Sequence, residues 1–138
     1  MKDFLIIITL SSLVTLALSA DANEWKKKAI YQLMTDRFAT TDNPPKECDV
    51  TLMNYCGGNH QGLINKLDYI EDMGFDAIWI SPIVKNAEGS YHGYHTIDFY
   101  DLNEHFGTKQ DMLNLVQKCH DKDIKVMLDV VANHVGLV

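Results

Sequence analysis

The stretch VMLDVVANH, residues 126–134, decides the fold class of this 138-residue chain. Residues 126–132 are apolar apart from Asp129, which is typical of a strand that is buried on both faces in a parallel sheet. Asn133 and His134 follow directly, where such a strand would end. In parallel α/β proteins the loops at the carboxyl ends of the strands carry the functional residues. Asn133 and His134 are therefore expected to lie at a functional edge.

Hydrophobic patterns upstream of this stretch alternate between the strand and the helix period. Apolar runs at 29–33, 77–80 and 124–132 predict three strands. Apolar residues at helical spacing over 63–73, and a capped segment from 108 to about 120, predict two helices between them. The resulting β-α-β-α-β order predicts an α/β fold with parallel strands and right-handed crossovers.

The connections between these elements differ in length. Each helix leads into the next strand within three residues, whereas 35–61 and 81–107 predict long strand-to-helix loops without regular structure. Loops this long are usually functional. About 50 residues per β-α unit suits the N-terminal portion of a (β/α)8 TIM barrel, incomplete here. Neither a G-x-G-x-x-G motif nor a phosphate loop occurs, which argues against a nucleotide-binding fold.

Charge and N-terminal composition restrict the partners of the chain. The net charge is −7 and the basic residues cluster only at 26–28, so a nucleic acid is not an expected partner. Residues 1–22 have a lysine, an apolar centre and small residues at Ala20 and Ala22, which predicts a secretory signal peptide. We therefore expect a secreted, extracellular protein whose residues 23–138 have no membrane contact after cleavage; an uncleaved anchor is the alternative.

Secretion makes the three cysteines informative. Cys48 and Cys56 bracket a polar loop, and in an oxidising compartment we expect them to form a disulfide. Cys119 lies on the apolar face of the second predicted helix and is expected to be a buried free thiol. The cysteine positions do not fit a zinc site, and a zinc site built on His92 and His95 lacks partner ligands.

Six motifs identify a family resemblance. They are TDRF (35–38), YCGG (55–58), GFDAIWISP (74–82), YHGY (91–94), DLNEHFGT (101–108) and DVVANH (129–134). Together they resemble the N-terminal third of a secreted, fungal-type member of the α-amylase family of glycoside hydrolases. The resemblance implies endo-hydrolysis of α-1,4-glucan links in starch with retained anomeric configuration, and a structural calcium ion.

The resemblance also implies roles for individual residues. Tyr94 would stack on the glucose ring at the cleavage subsite beside His92, and His134 would hydrogen-bond the same glucose. Asn133 would ligate calcium through its side-chain oxygen; capping of the strand end is its alternative role. Asp129 would pair with an arginine of the fourth strand, and without it we expect at best a local hydrogen bond.

Three further residues have expected structural roles. Asp36 and Arg37 are expected to form an ion pair that closes the first long loop. Trp79 lies inside a predicted strand and is expected to belong to the core.

The catalytic carboxylates of the family lie on the fourth and fifth strands and after the seventh. These positions lie beyond Val138, so no residue is assigned a catalytic role and the chain alone is expected to be inactive. Residues 23–138 alone are expected to aggregate or to unfold without cooperativity, because the third strand has an unpaired edge. The alternatives are a non-catalytic carbohydrate-binding or interaction remnant, and a fragment of a maltase or glucanotransferase of the same family.

Overall fold

The computed structural model describes residues 21–42 and 46–137, so residues 1–20 of the predicted signal peptide lie outside it. The helices are α1 (Ala22–Trp25), α2 (Thr35–Phe38), α3 (His60–Ile64), α4 (Leu67–Asp72) and α5 (Lys109–Asp121), with a 3-10 helix at Glu104–Phe106. The strands are β1 (Ile30–Leu33), β2 (Ala77–Ile80), β3 (Val84–Asn86), β4 (Thr96–Leu102) and β5 (Lys125–Leu128). No helix within the described ranges has the length and apolarity that crossing a bilayer requires.

The main sheet has three parallel strands in the order β1-β2-β5. The first row of paired residues is Ile30, Ala77 and Lys125, and the last row is Leu33, Ile80 and Leu128. Each parallel connection crosses over through helices, which confirms the predicted β-α-β-α-β order. The described strands form an open portion of a barrel rather than a closed one.

Helices cover one face of this sheet and form the core with it. Ile78 and Ile80 of β2 are fully buried against the helices. Cys119 is buried in this layer as a free thiol, as predicted, and burial raises the pKa of its thiol to about 12. The other buried residues of the core are Leu33, Leu63, Leu67, Ile70, Met112, Leu115 and Ile124.

Trp79, which we expected in the core, does not belong to the helix-facing core. Trp79 pairs in register with Gln32 and Met127, and it is only half-buried. Successive side chains of a strand point to opposite faces, so the neighbours Ile78 and Ile80 occupy the helix-facing side. Trp79 therefore lies on the face that would form the interior of a barrel.

The first predicted helix is two helices in the structure. Asn59 caps α3 by accepting a hydrogen bond from the Gly62 amide (2.8 Å), and α3 ends at Ile64. Asn65 follows as the C-cap, a residue type whose side chain competes for backbone hydrogen bonds and weakens a helix. The second predicted helix is confirmed as α5, whose Thr108 and Asp111 form a capping box.

The third predicted strand is β5, and it ends at Leu128, four residues earlier than predicted. The Asp129 amide still donates to the Ile80 carbonyl (3.1 Å), which is the last bond between the two strands. Pro82 then interrupts the neighbouring chain, because proline lacks an amide hydrogen and cannot continue a ladder. Residues 129–137 therefore lie in irregular structure above the sheet.

The two long strand-to-helix segments contain regular structure that the sequence patterns did not predict. The first contains α2, and the second contains the antiparallel pair of β3 and β4 followed by the 3-10 helix. This pair is a separate two-stranded sheet, and it holds the YHGY motif between its strands.

Candidate functional site

Two of the motifs meet at the carboxyl ends of β1, β2 and β5. The Tyr94 hydroxyl donates to Oδ2 of Asp129 at 2.9 Å, across 35 residues of sequence. His134 Nε2 lies 2.9 Å from the Tyr94 carbonyl oxygen, across 40 residues. The loop with YHGY and the segment after β5 thus share one edge of the sheet, as predicted. Asp129 is neither without a partner nor bonded locally, because its partner Tyr94 lies on the other long loop.

A cleft of about 250 Å³ lies between this pair of segments and the sheet. Gln32 and Trp79 form part of its wall because they lie on the face of the sheet opposite the helices. The sequence analysis did not assign either residue to the site, although a glutamine inside a short strand marks a side that is not helix-covered. The full lining is Gln32, Leu33, Met34, Trp79, Ser81, Tyr94 and Asp129.

Ser81 holds two of the strand ends together at the base of this cleft. Its hydroxyl donates to the Thr35 hydroxyl (3.0 Å) and accepts from the Thr35 amide (3.1 Å), and both residues are buried. Because Thr35 follows β1 and Ser81 follows β2, these bonds fix the spacing of the two strands where the cleft begins.

His92 lies against Tyr94 in a defined tautomeric state. The two rings stack with centroids 5.5 Å apart and an interplanar angle of 17°. His92 Nδ1 accepts a hydrogen bond from the Tyr94 amide (3.0 Å), so the proton of the neutral ring is on Nε2. Burial, and secondly the nearby His95, lower the pKa of His92. A neutral His92 therefore offers one N–H donor at Nε2.

Tyr94 remains protonated at neutral pH. Burial raises the pKa of its phenol, and the neighbouring Asp129 raises this pKa further. The hydroxyl is consequently fixed as a donor to the Asp129 carboxylate, and the bond orients the ring at the mouth of the cleft.

His134 and Asn133 are exposed beside this pair. Because a carbonyl oxygen only accepts, His134 Nε2 donates to Tyr94, and Nδ1 accepts from the Asn133 amide group at 3.2 Å. Both ring nitrogens thus have protein partners, so a sugar hydroxyl that contacts His134 must replace one of these bonds.

Asp36 and Arg37 form the predicted structural ion pair, with Arg37 Nε 3.4 Å from Asp36 Oδ2. The buried Asp36 carboxylate also accepts from the amides of Cys56 (2.9 Å) and Gly57 (3.2 Å). The Arg37 guanidinium lies 3.9 Å from the centre of the Tyr91 ring, a cation–π contact. These contacts join the first loop to the loop with YHGY.

The predicted disulfide between Cys48 and Cys56 is present. It closes the loop of residues 48–56 directly beside the Asp36 carboxylate, and Arg37 Nη1 lies 2.7 Å from Cys48 Sγ. The disulfide and the ion pair therefore stabilise the same loop.

The described part of the chain does not form a calcium site by itself. Residues 21–42 and 46–137 contain no group of three or more His, Cys, Asp or Glu side chains that could hold a metal ion. Calcium takes six to eight oxygen ligands, and Asn133 offers a single amide oxygen on an exposed segment. The residues present therefore do not fit a calcium ion by themselves.

The described lining of the cleft likewise contains one carboxylate, that of Asp129. A retaining glycosidase requires two carboxyl groups about 5–5.5 Å apart. The catalytic pair of such an enzyme is therefore not among the described lining residues.

Residues 32–138 match the family model described as the α-amylase catalytic domain. The chain is 52% identical over 122 residues to an α-amylase of Schizosaccharomyces pombe, an alignment that covers 84% of this chain and 23% of the relative.

Solved structures give the same result. The fold is similar to that of an α-amylase from Malbranchea cinnamomea, with 48% identity and a TM-score of 0.80 over 84% of this chain and 26% of the other. An α-amylase from Geobacillus thermoleovorans, solved in complex with acarbose, has 49% identity and a TM-score of 0.73 over 81% and 24%. The chain thus spans about a quarter of the length of these proteins.

Proposed function

This chain belongs to the α-amylase family of glycoside hydrolases, and from this premise we propose that it supplies the glucan-binding N-terminal portion of a secreted α-amylase. The whole enzyme hydrolyses internal α-1,4 links of starch with retention of anomeric configuration. The observation that carries the proposal is the network in which Tyr94 joins Asp129 and His134 at the carboxyl edge of the sheet.

The described residues bind and orient the sugar rather than break the bond. Tyr94 presents an aromatic ring to the apolar C–H face of a glucose unit, and Asp129 holds that ring in place. His92 donates from Nε2 to a sugar hydroxyl, and its lowered pKa keeps it neutral in this role. His134 contacts the same glucose when a sugar hydroxyl replaces the Tyr94 carbonyl oxygen as its hydrogen-bond partner. Fixed orientation of this kind contributes to catalysis by positioning.

The nucleophile and the acid come from other strands of the barrel in this proposal. Asn133 would offer one amide oxygen to a structural calcium ion only together with ligands from outside residues 21–137. The isolated 138-residue chain is accordingly expected to lack hydrolytic activity.

The test uses a chimera, in which the whole 138-residue chain is followed by the part of the S. pombe relative that lies beyond the matched residues. We expect this chimera to hydrolyse starch. Tyr94→Ala should lower kcat/KM by about 100-fold, because the sugar loses its stacking surface and its orientation. Tyr94→Phe keeps the ring and loses only the bond to Asp129, so its loss should be smaller, about tenfold.

Tyr69→Ala is the matched control, since Tyr69 is 52% exposed on α4 on the other side of the sheet. Its kcat/KM should equal that of the parent chimera. A folded parent chimera that binds maltoheptaose without hydrolysing starch would favour the alternative, a non-catalytic carbohydrate-binding protein. Full activity of Tyr94→Ala would refute the proposed role of the cleft.

A further inference from the structure

A second cleft lies at the same edge of the sheet, between the disulfide loop (residues 48–56) and the loop with YHGY. Its volume is about 580 Å³, and none of its lining residues contributes to the first cleft. The lining consists of Met53, Asn54, Tyr55, Glu88, Gly89 and His105.

The second cleft has a flat platform made of two stacked rings. The centroids of Tyr55 and His105 are 3.7 Å apart and the rings are inclined by 14°. His105 is exposed, so the face turned away from Tyr55 is available to a ligand.

Partly buried hydrogen bonds hold this platform in position before any ligand binds. Asn103 is 3% exposed; it accepts from the His105 amide (3.1 Å) and donates to the Tyr55 hydroxyl (3.0 Å). The Tyr55 hydroxyl in turn lies 3.3 Å from the Ser90 carbonyl oxygen, to which it donates. A preorganised platform costs little conformational entropy on binding.

Polar groups without protein partners surround the platform. Glu88 is exposed and forms neither an ion pair nor a hydrogen bond with the described residues. The side-chain oxygen of Asn54 is buried and also lacks a partner among them. Gly89 has φ +72°, and a Cβ at this position would lie 2.7 Å from the Met53 carbonyl oxygen. Only glycine therefore allows the backbone at residue 89 to lie this close to the disulfide loop.

This combination fits a neutral ring that carries hydroxyl groups. An aromatic surface with a few convergent acceptors is the usual composition of a small-molecule site. A carboxylate acceptor and a net charge of −7 disfavour anionic ligands. A pyranose offers both an apolar face for His105 and hydroxyl donors for Glu88.

The two clefts are joined by a continuous row of contacts. Ser90 Oγ lies 2.9 Å from His95 Nδ1, and the His95 ring lies 4.8 Å from the ring of His92. His92 stacks on Tyr94 at the first cleft. The segment between β3 and β4 lines both clefts, the first through Tyr94 and the second through Glu88 and Gly89, so a glucan chain along this segment would contact both.

We propose that the second cleft binds a glucose unit of an α-glucan distal to the unit held at Tyr94, with His105 as the stacking surface. The exposed Glu88 carboxylate accepts hydrogen bonds from its hydroxyl groups. This inference rests on the proposed function, because it assigns the second cleft to the same polymer.

The test measures hydrolysis of maltotriose and of maltoheptaose by the chimera, because the proposal expects only the longer substrate to occupy both clefts. His105→Ala and Glu88→Gln should each lower kcat/KM for maltoheptaose about fivefold, through a higher KM. The same substitutions should change kcat/KM for maltotriose less than twofold. His105→Phe retains a flat ring and should keep the parent value. The controls are His120→Ala and Glu47→Gln, both exposed and outside the cleft.

Equal losses on both substrates, or no loss on maltoheptaose, would overturn the inference while the proposed function stands. If the folded parent chimera hydrolyses neither substrate, the proposed function fails, and calorimetric binding of maltoheptaose then decides the inference. Binding that His105→Ala weakens about fivefold would support it. Unchanged binding in that variant, or no binding by the parent, would overturn it.

Discussion

At the residue scale, the burial of His60 makes stability depend on pH. His60 is 2% exposed, and neither ring nitrogen has a hydrogen-bond partner within the described residues. Its ring lies 6.2 Å from that of Phe106, in the contact between α3, the 3-10 helix and α5. Burial lowers the pKa of His60 from 6.5 to about 4, although the Asp111 carboxylate partly opposes this.

The lowered pKa predicts a loss of stability in acid. Unfolded His60 binds a proton as the pH falls through about 6.5, whereas folded His60 does so only near 4, so the unfolded state is favoured across this window. The cost reaches about 3 kcal/mol at pH 4. In the chimera, His60→Phe should therefore flatten the fall of Tm between pH 6.5 and 4.

The control for this prediction is His120→Phe, which removes an exposed histidine of α5. Thermal unfolding followed by circular dichroism gives Tm for each variant at each pH. A curve for His60→Phe as steep as that of the parent would show that another group causes the acid lability.

At the element scale, two helices end with the same hydrogen bonds but with different residues. After α4, the Phe75 amide donates to Ile70 (3.4 Å) and Gly74 has φ +82°. After α5, the Ile124 amide donates to Cys119 (2.9 Å), and Asp123 takes the left-handed position with φ +56°. Glycine suits this position and aspartate is strained there.

Asp123→Gly should therefore stabilise the chimera by about 0.5–1 kcal/mol, because it removes left-handed strain and a negative charge next to a helix C-terminus. Chemical denaturation of parent and variant measures the difference. Gly74→Ala is the opposite change at the equivalent position and should destabilise by about 1 kcal/mol. A loss of stability in Asp123→Gly would show that the aspartate side chain makes a compensating contact.

At the scale of the whole molecule, the described sheet is open at both edges. β1 and β5 each pair on one side only, and large apolar side chains are exposed on and after β5. These are Leu128 (42%), Val130 (71%), Val135 (63%) and Leu137 (93%). Unpaired edges and exposed apolar groups favour association between chains.

Residues 23–138 expressed alone should therefore aggregate, or unfold without a sharp transition. Size-exclusion chromatography and thermal unfolding measure the two properties, and the chimera, whose sheet can pair further, is the control. A soluble monomer with a cooperative transition would contradict this prediction.

Local patterns in the sequence predicted much of this molecule. The order of the three parallel strands, the capping box at Thr108 and the buried thiol of Cys119 all follow from periodicity or short motifs. The position of the site also followed, because the carboxyl ends of parallel strands meet at one edge wherever the strands pair.

Tertiary structure alone decided which side chains meet at that edge. Trp79 lies in the cleft wall and not in the helix-facing core, because its position along the strand, rather than its hydrophobicity, determines which face of the sheet it occupies. Asp129 is hydrogen-bonded to Tyr94, 35 residues away in the sequence. A buried asparagine, Asn103, is hydrogen-bonded to both Tyr55 and His105. Periodicity and short motifs depend on neighbours within about two helical turns, whereas these partners depend on how distant loops pack together.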